Sequence, residues 1–546
     1  MCADPAGGRR PGGVGRGEVA DAVVVGAGPN GLVAAIALAR AGWDVVVVEA
    51  NETVGGAVRS AIPWPGVTVD LFSAFYPLAA ASPVLSALEL ERFGLSWSSA
   101  PSVVAHCARP GDDDCPVIHP DPERTAAEFE REAAGDGQAW LDLCAQWRRI
   151  REPLLNALFT PFPPVLSGAR LVHRLGTADA LRVTRMASLP VTRLGTELFT
   201  GEGPRLLLAG NAMHADVPMD AAGSGLFGWL LCMLAQDVGF PVPRGGAGRL
   251  SQALAACAIS AGARIDTGET VTSVVVGGGR ALGIRTDAGR AIRARRAVLA
   301  DVDAPRLFRD LVGARNLPPR LCQDLHHFQW DPPTVKLNWL VEGGIPWSAD
   351  PAHRAGTVHL GTDLRGLGRW SADLAADRHP DQVFALVGQM TTADPSRSPD
   401  GTESAWAYTH LPREGIGRAE VDRAVRRLEA TVEAFAPGFS TRVRERMVQR
   451  PDDLQDQDAN LFHGAVNAGT AQLHQQLVFR PTLGRPETPV GGLYLAGASA
   501  HPGGGVHGAC GWIAAQVALR ANGALGPLHR VVGRGVRHLA YGRSGA

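Results

Sequence analysis

Three glycines and one carboxylate are the first residues in the chain whose types and spacing could do chemistry. Gly26, Gly28 and Gly31 stand at G-x-G-x-x-G spacing, and Glu49 closes the apolar run Val45 to Val48. Gly26 permits a tight turn, Gly28 lets backbone approach a pyrophosphate, and Gly31 lets a helix pack closely on a strand. A helix starting there offers unpaired N–H groups and its positive dipole end to phosphates. Glu49 is placed to accept both ribose hydroxyls. The glycines alone are a common pattern. A strand before them, a helix after them and an acid downstream are the context a dinucleotide site requires. A second group stands out by rarity: Lys336 is the only lysine among 53 Lys and Arg residues. The eight cysteines contain no C-x-x-C, which removes both a flavin–disulfide redox pair and a zinc site. They read as small buried hydrophobes in a reducing compartment. No Ser/His/Asp or paired-carboxylate pattern is visible.

Hydrophobic periodicity identifies the elements that must position these groups. Ala22 to Val25 and Val45 to Val48 are predicted strands buried on both faces, with a helix over Leu32 to Ala41 between them. Residues 76–235 lose the βα alternation. Thr125 to Arg151 is amphipathic and helical, and Pro161 to Pro164 breaks the chain. Ala221 to Ala235 is apolar for about fifteen residues and interrupted by Gly223 and Gly225, so it is predicted as a core helix rather than a lipid-facing surface. A helix over Leu250 to Ala261 precedes a strand at Arg264 and Ile265. Val271 to Val276 and Ala281 to Thr286 are strands joined by a glycine run. A strand follows that run, so it is a hairpin and not a second nucleotide loop; a bound NAD(P)H is not expected. Ala297 to Ala300 is a strand ending at Asp301. Thr334 to Val341 and Gln382 to Gly388 are strands, and Glu420 to Ala436 is a helix. Asp452 to Asp458 is predicted as solvated. Gly491 to Leu519 is a second strand–glycine turn–helix unit, its helix beginning near Val506 and aiming N–H groups at a flat ligand.

Downstream of Glu49, Gly55, Gly56 and Arg59 complete an E-x5-G-G-x-x-R pattern. It resembles the extended fingerprint of the glutathione-reductase-like FAD proteins, which implies FAD. With the C-terminal unit included, the whole chain resembles the carotenoid/retinoid oxidoreductase family, the phytoene desaturase relatives. It is most similar there to the branch called pyridine nucleotide-disulfide oxidoreductase domain-containing protein 2. RLLLAGNAMHADVP (Arg205 to Pro218), GFPVPRGGAGRLSQAL (Gly239 to Leu254), FRP (Phe479 to Pro481) and HPGGGV (His501 to Val506) carry that resemblance. It implies an α/β fold, with a Rossmann-like, glutathione-reductase-type FAD-binding domain interleaved with a mixed α+β substrate domain. By carry-over, Gly26, Gly28, Pro29, Asn30, Gly31, Glu49, Ala50, Gly55, Gly56, Arg59, Val271, Gly497, Ala498, Gly505 and Val506 contact FAD, Val271 through its backbone to adenine. Gly504 and Trp512 depart from typical carotenoid desaturases and point away from a carotenoid substrate. In the related amine oxidases a strand lysine bridges through water to flavin N5, with a tryptophan shortly after it. Lys336 and Trp347 match that arrangement approximately, so Lys336 is the catalytic candidate. His214, His463, His501 and His507 lie in or near Gly-rich motifs that could face the flavin.

The expected division is a disordered tail over 1–20, FAD-binding segments 21–75, 237–312 and 481–523, and a basic tail over 524–546. A mostly helical cap at 76–236 and residues 313–480 form the substrate domain. A net charge of −1 argues against a nucleic-acid partner. No secretory signal or run of 18 apolar residues is present, which places the protein in the cytoplasm with contact to a membrane surface at most. The expected activity is hydride transfer between a C–H or C=C bond of an apolar, isoprenoid or lipid-like substrate and flavin N5, with oxygen or a quinone as electron acceptor. Amine-oxidase-like C–N oxidation and a flavin-bound regulatory protein are the alternatives.

Overall fold

The computed structural model describes residues 18–476 and 481–524, with scattered positions up to 535. The N-terminal residues 1–17, Phe479 and Arg480 of the FRP motif, and the tail arginines Arg530, Arg534, Arg537 and Arg543 lie outside the described residues.

In chain order, β1 (Glu18–Val25), α1 (Pro29–Arg40) and β2 (Val45–Val48) form the expected βαβ unit. A hairpin follows, β3 (Ser60–Trp64) and β4 (Val67–Asp70), then β5 (Ser102–Cys107) and β6 (Val117–Ile118). The helical layer includes α2 (Asp136–Leu158), α3 (Val165–Leu175), α4 (Thr177–Ser188), α5 (Glu202–Met213), α6 (Ser224–Asp237) and α7 (Gly248–Ser260). Next come β7 (Arg264–Asp266), β8 (Val271–Gly277), β9 (Arg280–Thr286) and β10 (Ala291–Ala300). The second half holds β11 (Thr334–Glu342), β12 (Ala355–Leu360), β13 (Ala385–Gln389), β14 (Thr402–His410), α8 (Arg418–Phe435), β15 (Val443–Gln449) and α9 (Pro451–Gln457). β16 (Leu493–Leu495) and α10 (Ala509–Asn522) follow.

Two seven-stranded sheets organise these elements. The first runs β8-β9-β10-β1-β2-β7, with β16 pairing alongside β10. β1 lies parallel to both β2 and β10, which explains the unbroken valine runs: both faces are covered. Ala22, Val24, Val45 and Val47 pack on the α1 side, while Val23, Val25, Val46 and Val48 pack against Leu307, Phe308 and Leu311. The strand starts at Glu18, so residues 18–20 belong to the sheet and not to a tail; they pair with Ile292 to Ala294. The glycine run 277–280 is a hairpin turn, with Gly278 and Gly279 both at positive φ.

The second sheet runs β15-β11-β14-β13-β12-β5-β6. β5 and β6 come from residues 76–236, so that stretch is not simply a helical cap; Val103, Val104 and Ala105 are a short buried run without helical period. One face, with Val335, Leu337, Trp339 and Val341, buries Val421, Val425, Leu428 and Val432 of α8. The other face turns toward the first sheet and the helical layer. The amphipathic stretch 125–151 is split: one helix ends at Glu132 where Ala133 is extended, and Gly135 at φ +93 caps the start of α2. α6 is a core helix as its composition predicts, with Trp229, Cys232 and Met233 fully buried.

The two chain ends meet where α10 crosses α1. A Cβ added at Gly511 would lie 1.8 Å from the Asn30 carbonyl oxygen, and one at Gly508 would lie 2.8 Å from Val33 Cγ2. α10 begins at Ala509, three residues after the expected start, because Gly508 adopts the left-handed conformation at its N-terminus. Gly511→Ala is expected to lose about 1–3 kcal/mol of stability by overpacking. Gly168→Ala, on α3 with open space around its added Cβ, is expected to gain up to about 1 kcal/mol from helix propensity. Denaturant titration of both variants checks the contrast.

Candidate active site

The dinucleotide motif is assembled by contacts a side chain would block. A Cβ at Gly31 would fall 2.2 Å from the Gly26 carbonyl oxygen, and one at Gly28 would fall 2.6 Å from Asp301 Oδ2. Gly28 caps α1 without a side chain and Pro29 follows at the first turn, so the helix end is open to an anion. Glu49 Oε2 accepts from the Ala27 N–H at 2.7 Å, and Oε1 accepts from the Asn51 N–H at 2.9 Å. Carboxylate oxygens keep further lone pairs, so ribose hydroxyls can still be accepted. Asn30 is buried, and its Oδ1 has no hydrogen-bond partner among the described residues. Ala50 is exposed beside Glu49, and Val271 opens β8 as a buried residue. These features fit an extended dinucleotide along β1, α1 and β2.

The second glycine pair sits against the first. The Gly55 N–H donates to Ala27 O at 2.8 Å, and a Cβ at Gly56 would lie 3.1 Å from Gly28 Cα. Arg59 Nε donates to the Gly56 carbonyl at 2.9 Å, its guanidinium also reaches the Gln457 carbonyl, and it lies over the Phe72 ring. Asp458, expected to be solvated, is buried here at the end of α9. Its Oδ2 would be 3.4 Å from a Cβ on Gly56. Asp301 also converges on this point, accepting from the Gly31 N–H at 2.8 Å. Burial pushes the Asp301 carboxyl up to about 7, with Asp458 and Glu49 adding to the rise against the Gly31 hydrogen bond. Burial likewise raises Asp458, and Glu49 contributes. Neither Asp301 nor Asp458 was singled out from the sequence; only the position of Asp301 at a strand end hinted at it.

The C-terminal glycine turn runs beside the same residues, next to Val302 and the first turns of α1. Gly497 is packed so that a Cβ would meet Val302 O at 2.6 Å, and Gly505 is exposed at φ +104. Ala498 and Val506 are half-buried along this turn. At Gly504 a Cβ would lie 2.7 Å from Asn467 Oδ1, which accounts for a glycine there. Trp512 packs half-buried in the α1–α10 core.

Lys336 lies on the inner face of β11, buried to 3% exposure. Its Nζ donates to the Asp70 carbonyl and, at 3.2 Å, to the Phe72 carbonyl. Burial pushes its pKa down to about 7; Asp70 opposes the shift and Arg397 assists it. Trp406, not Trp347, is its aromatic neighbour, with Nζ 5.6 Å from the Trp406 ring centre. Trp347 packs on the opposite face of the sheet with Leu337 and Trp339, its Nε1 donating to Gln389 Oε1 at 3.0 Å. Trp406, Tyr408 and His410 alternate along one face of β14. Trp406 and Tyr408 stack at 5.8 Å and 17°, and Tyr408 pairs in register with Lys336. Below Lys336, Arg397 is fully buried between Asp70 and Asp394, at 2.9 and 3.0 Å.

The histidines divide by role. The His507 Nδ1 accepts from the Ala509 N–H at 3.0 Å and so caps α10; burial holds its pKa near 4. His214 Nε2 lies 2.9 Å from His359 Nε2, beside His106. Burial lowers all three, to about 4 for His106 and His214, so the cluster is neutral. His463 is exposed and stacks edge-on with Phe462. His501 is buried near Phe162. His410, which sequence reading passed over, has Nε2 2.7 Å from Asp216 Oδ1. Burial alone would lower its pKa, but Asp216 holds it above the ordinary value. Asp216 sits at φ +54 and also accepts from Asn467 Nδ2 at 2.7 Å, linking the pair to the residue that crowds Gly504. Among the described residues no group of acidic, His and Cys side chains could hold a metal ion, and no helix is long and apolar enough to cross a membrane.

Residues 30–519 match the family described as flavin containing amine oxidoreductase. The chain is 28% identical to the rat (Rattus norvegicus) pyridine nucleotide-disulfide oxidoreductase domain-containing protein 2, over 92% of this chain and 93% of that one. It is 24% identical to the zeta-carotene-forming phytoene desaturase of Myxococcus xanthus, over 89% of this chain and 90% of that one. An oxidoreductase from Methanosarcina mazei shares the fold with a TM-score of 0.61 at 16% identity, over 91% of this chain and 99% of that one.

The Lys336 environment predicts a pH signature in stability. The unfolded chain holds the lysine proton up to about 10.5, whereas the folded chain releases it near 7. Between those values the unfolded state binds more protons, so stability rises with pH by up to about 1.4 kcal/mol per unit, and is flat in this respect outside them. Urea titrations from pH 7 to 9 are expected to show this increment in the wild type relative to Lys336→Met. Equal pH slopes in the two proteins would show that Lys336 is not held in a desolvated site.

Proposed function

The chain belongs to the flavin containing amine oxidoreductase family, and from that premise we propose that it moves a hydride between a C–H or C=C bond of an apolar, isoprenoid or lipid-like substrate and N5 of FAD. FAD is its cofactor, and the protein is an FAD-dependent oxidoreductase, phytoene desaturase-like in sequence. When bound, FAD supplies the two-electron redox chemistry. The residues that hold it, in this reading, are Gly26, Gly28, Pro29, Asn30, Gly31, Glu49, Ala50, Gly55, Gly56 and Arg59 on one side. Val271, Gly497, Ala498, Gly505 and Val506 complete the set. Segments 21–75, 237–312 and 481–523 then make up the FAD-binding domain, and 76–236 with 313–480 the substrate domain.

The observation that carries the substrate class is the inner face of the second sheet. Trp406 stacks on Tyr408 and tilts against Phe75 at 6.1 Å, while Lys336 is the buried base beside them. Such a surface orients a flat or chain-like apolar molecule and excludes water. A desaturation also releases a proton, and the buried bases on this face are Lys336 and the Asp216-paired His410. The named activity of the Myxococcus relative supports an isoprenoid chain as substrate; oxygen or a quinone is the acceptor. α3 and α4 leave Val165, Leu166 and Leu181 exposed. With the exposed Arg170 and Arg182 of the same two helices, these are the side chains that would contact a lipid surface. C–N oxidation is the second reading, favoured by the stacked Trp406–Tyr408 pair beside a lysine.

Purified protein is expected to be yellow, with its flavin spectrum bleached anaerobically by an isoprenoid alkene or alkane chain. Bleaching by amines but not by isoprenoids would select the second reading, and a colourless folded protein that refuses added FAD would overturn both. Lys336→Met is expected to slow bleaching at least about tenfold, about 1.4 kcal/mol in barrier, with FAD still bound. Unchanged bleaching removes Lys336 from the chemistry. Glu49→Ala is expected to weaken FAD retention in equilibrium dialysis without abolishing the fold.

A further inference from the structure

Two cysteines that read in the sequence as separate buried hydrophobes meet in space. In the antiparallel pair β5–β6, Val104 faces Ile118 and Ala105 faces Val117. The same register carried outward sets His106 opposite Pro116, where the His106 N–H donates to the Pro116 carbonyl at 3.0 Å. Cys107 then stands opposite Cys115. Hydrogen-bonded and non-hydrogen-bonded pairs alternate along such a ladder, and the latter bring their Cα atoms to about 4.5 Å with side chains closest. With His106–Pro116 hydrogen-bonded, Cys107–Cys115 is of that closer kind, inside the Cα range of about 4.4–6.8 Å that a disulfide spans. The Cys107 carbonyl points the other way, accepting from the Gly361 N–H at 3.2 Å, as that position requires. The two thiols lie within hydrogen-bonding reach of each other, and both are reduced. Cys107 is buried, whereas Cys115 is only partly buried, at the end of the exposed turn 111–114.

We propose that Cys107 and Cys115 form a redox modification site, closed to an intramolecular disulfide by a peroxide. Cys115, the less buried of the two, gives up its proton and its sulfur attacks a peroxide oxygen. The O–O bond breaks, the leaving oxygen departs as water with that proton, and Cys115 becomes a sulfenic acid. The Cys107 sulfur then attacks the Cys115 sulfur, the S–O bond breaks, and a second water leaves with the Cys107 proton. The two thiols together lose two electrons, and the peroxide gains them. The contact with Cys107, burial, and the carboxylates of Asp114 and Glu128 all hold the Cys115 thiol protonated. Loss of its proton is therefore the slow event, and the site answers sustained oxidant rather than a passing exposure. The bond closes the hairpin across the acidic turn and fixes edge strand β6 to β5, the strand from which His106 enters the buried imidazole cluster.

The test uses the full chain purified with its flavin, incubated with hydrogen peroxide, alkylated with N-ethylmaleimide, digested and mapped by mass spectrometry. Cys107 and Cys115 are expected to lose their maleimide labels together, to appear in a peptide lighter by two hydrogens, and to regain both labels after dithiothreitol. Cys144, Cys232, Cys257 and Cys510 keep theirs throughout. Cys107→Ser is expected to stop at a Cys115 sulfenic acid that dimedone traps, and Cys115→Ser to leave Cys107 a thiol. Retention of both labels in the wild type overturns the proposal, as does oxidation of Cys115 with Cys107 still labelled.

Discussion

The Asn30 carbonyl and the bare α-carbon of Gly511 define the constraint on which the structure depends. They can touch only because nothing projects from α10 at that position, and the same holds at Gly508 against Val33. A main-chain contact of this kind cannot be replaced by side-chain rearrangement, because neither partner has a rotamer to change. It fixes α10 against α1. Once it is made, β16 must join the first sheet beside β10, and the glycine turn 497–508 must run over the N-terminus of α1. Residues nearly five hundred positions apart thereby line one cleft, and the intervening chain has to leave the first sheet and return to it.

The second sheet is tied to the β3–β4 hairpin and to the entry of α7 by charge rather than by shape alone. Arg397 is fully buried, and it holds Asp70 of the β4 hairpin and Asp394 of the β13–β14 connection. Asp70 also accepts from the Ala247 N–H at 2.7 Å, so the entry to α7 joins the same point. A buried ion pair gains little net stability over an apolar one, but removing one partner leaves an unmatched charge. The arrangement therefore specifies one docking of the sheets more than it strengthens it. Lys336 sits at its edge and depends on it twice: the Asp70 and Phe72 carbonyls take its hydrogens, and the charge of Arg397 helps to keep it neutral.

What the sequence revealed and what it hid divide along sequence distance. The β1–α1–β2 unit, the β8–β9 hairpin and the β16–α10 unit are local patterns, each carried by glycines and apolar runs within a few tens of residues, and they stand nearly where periodicity places them. β5 escaped because its partner β12 lies far along the chain, and β6, two residues long and paired only with β5, carries no period of its own. Asp458 was misjudged for a related reason. Its neighbours Asp452, Asp453 and Asp456 make the segment look solvated, and only the fold reveals that the last acid of the run turns in toward Gly56. Trp347 shows the limit of motif spacing. A tryptophan eleven residues after Lys336 matches a linear pattern, yet the ring beside the lysine is that of Trp406, next to Tyr408 in the β11–β14 register, while Trp347 packs on the other face. His410 and Asp216 carry no linear signature, because their pairing exists only in three dimensions.

Two buried groups of the candidate site are shifted in opposite directions toward neutrality. On the dinucleotide side, burial and mutual repulsion raise Asp301 to about 7; on the sheet side, burial lowers Lys336 to about 7. Each shift disfavours the charged form, and both follow from excluding water. An interior that pushes an acid and a base toward their neutral forms is poor at holding an isolated charge. Its few polar groups are then free to answer charge that develops during reaction rather than charge already present in the ground state. On this argument the shortage of lysine in the chain sharpens the meaning of Lys336. An arginine at that position would remain charged under any burial, so the one residue that departs from the chain's basic bias is also the one basic side chain able to become neutral on the inner face of β11.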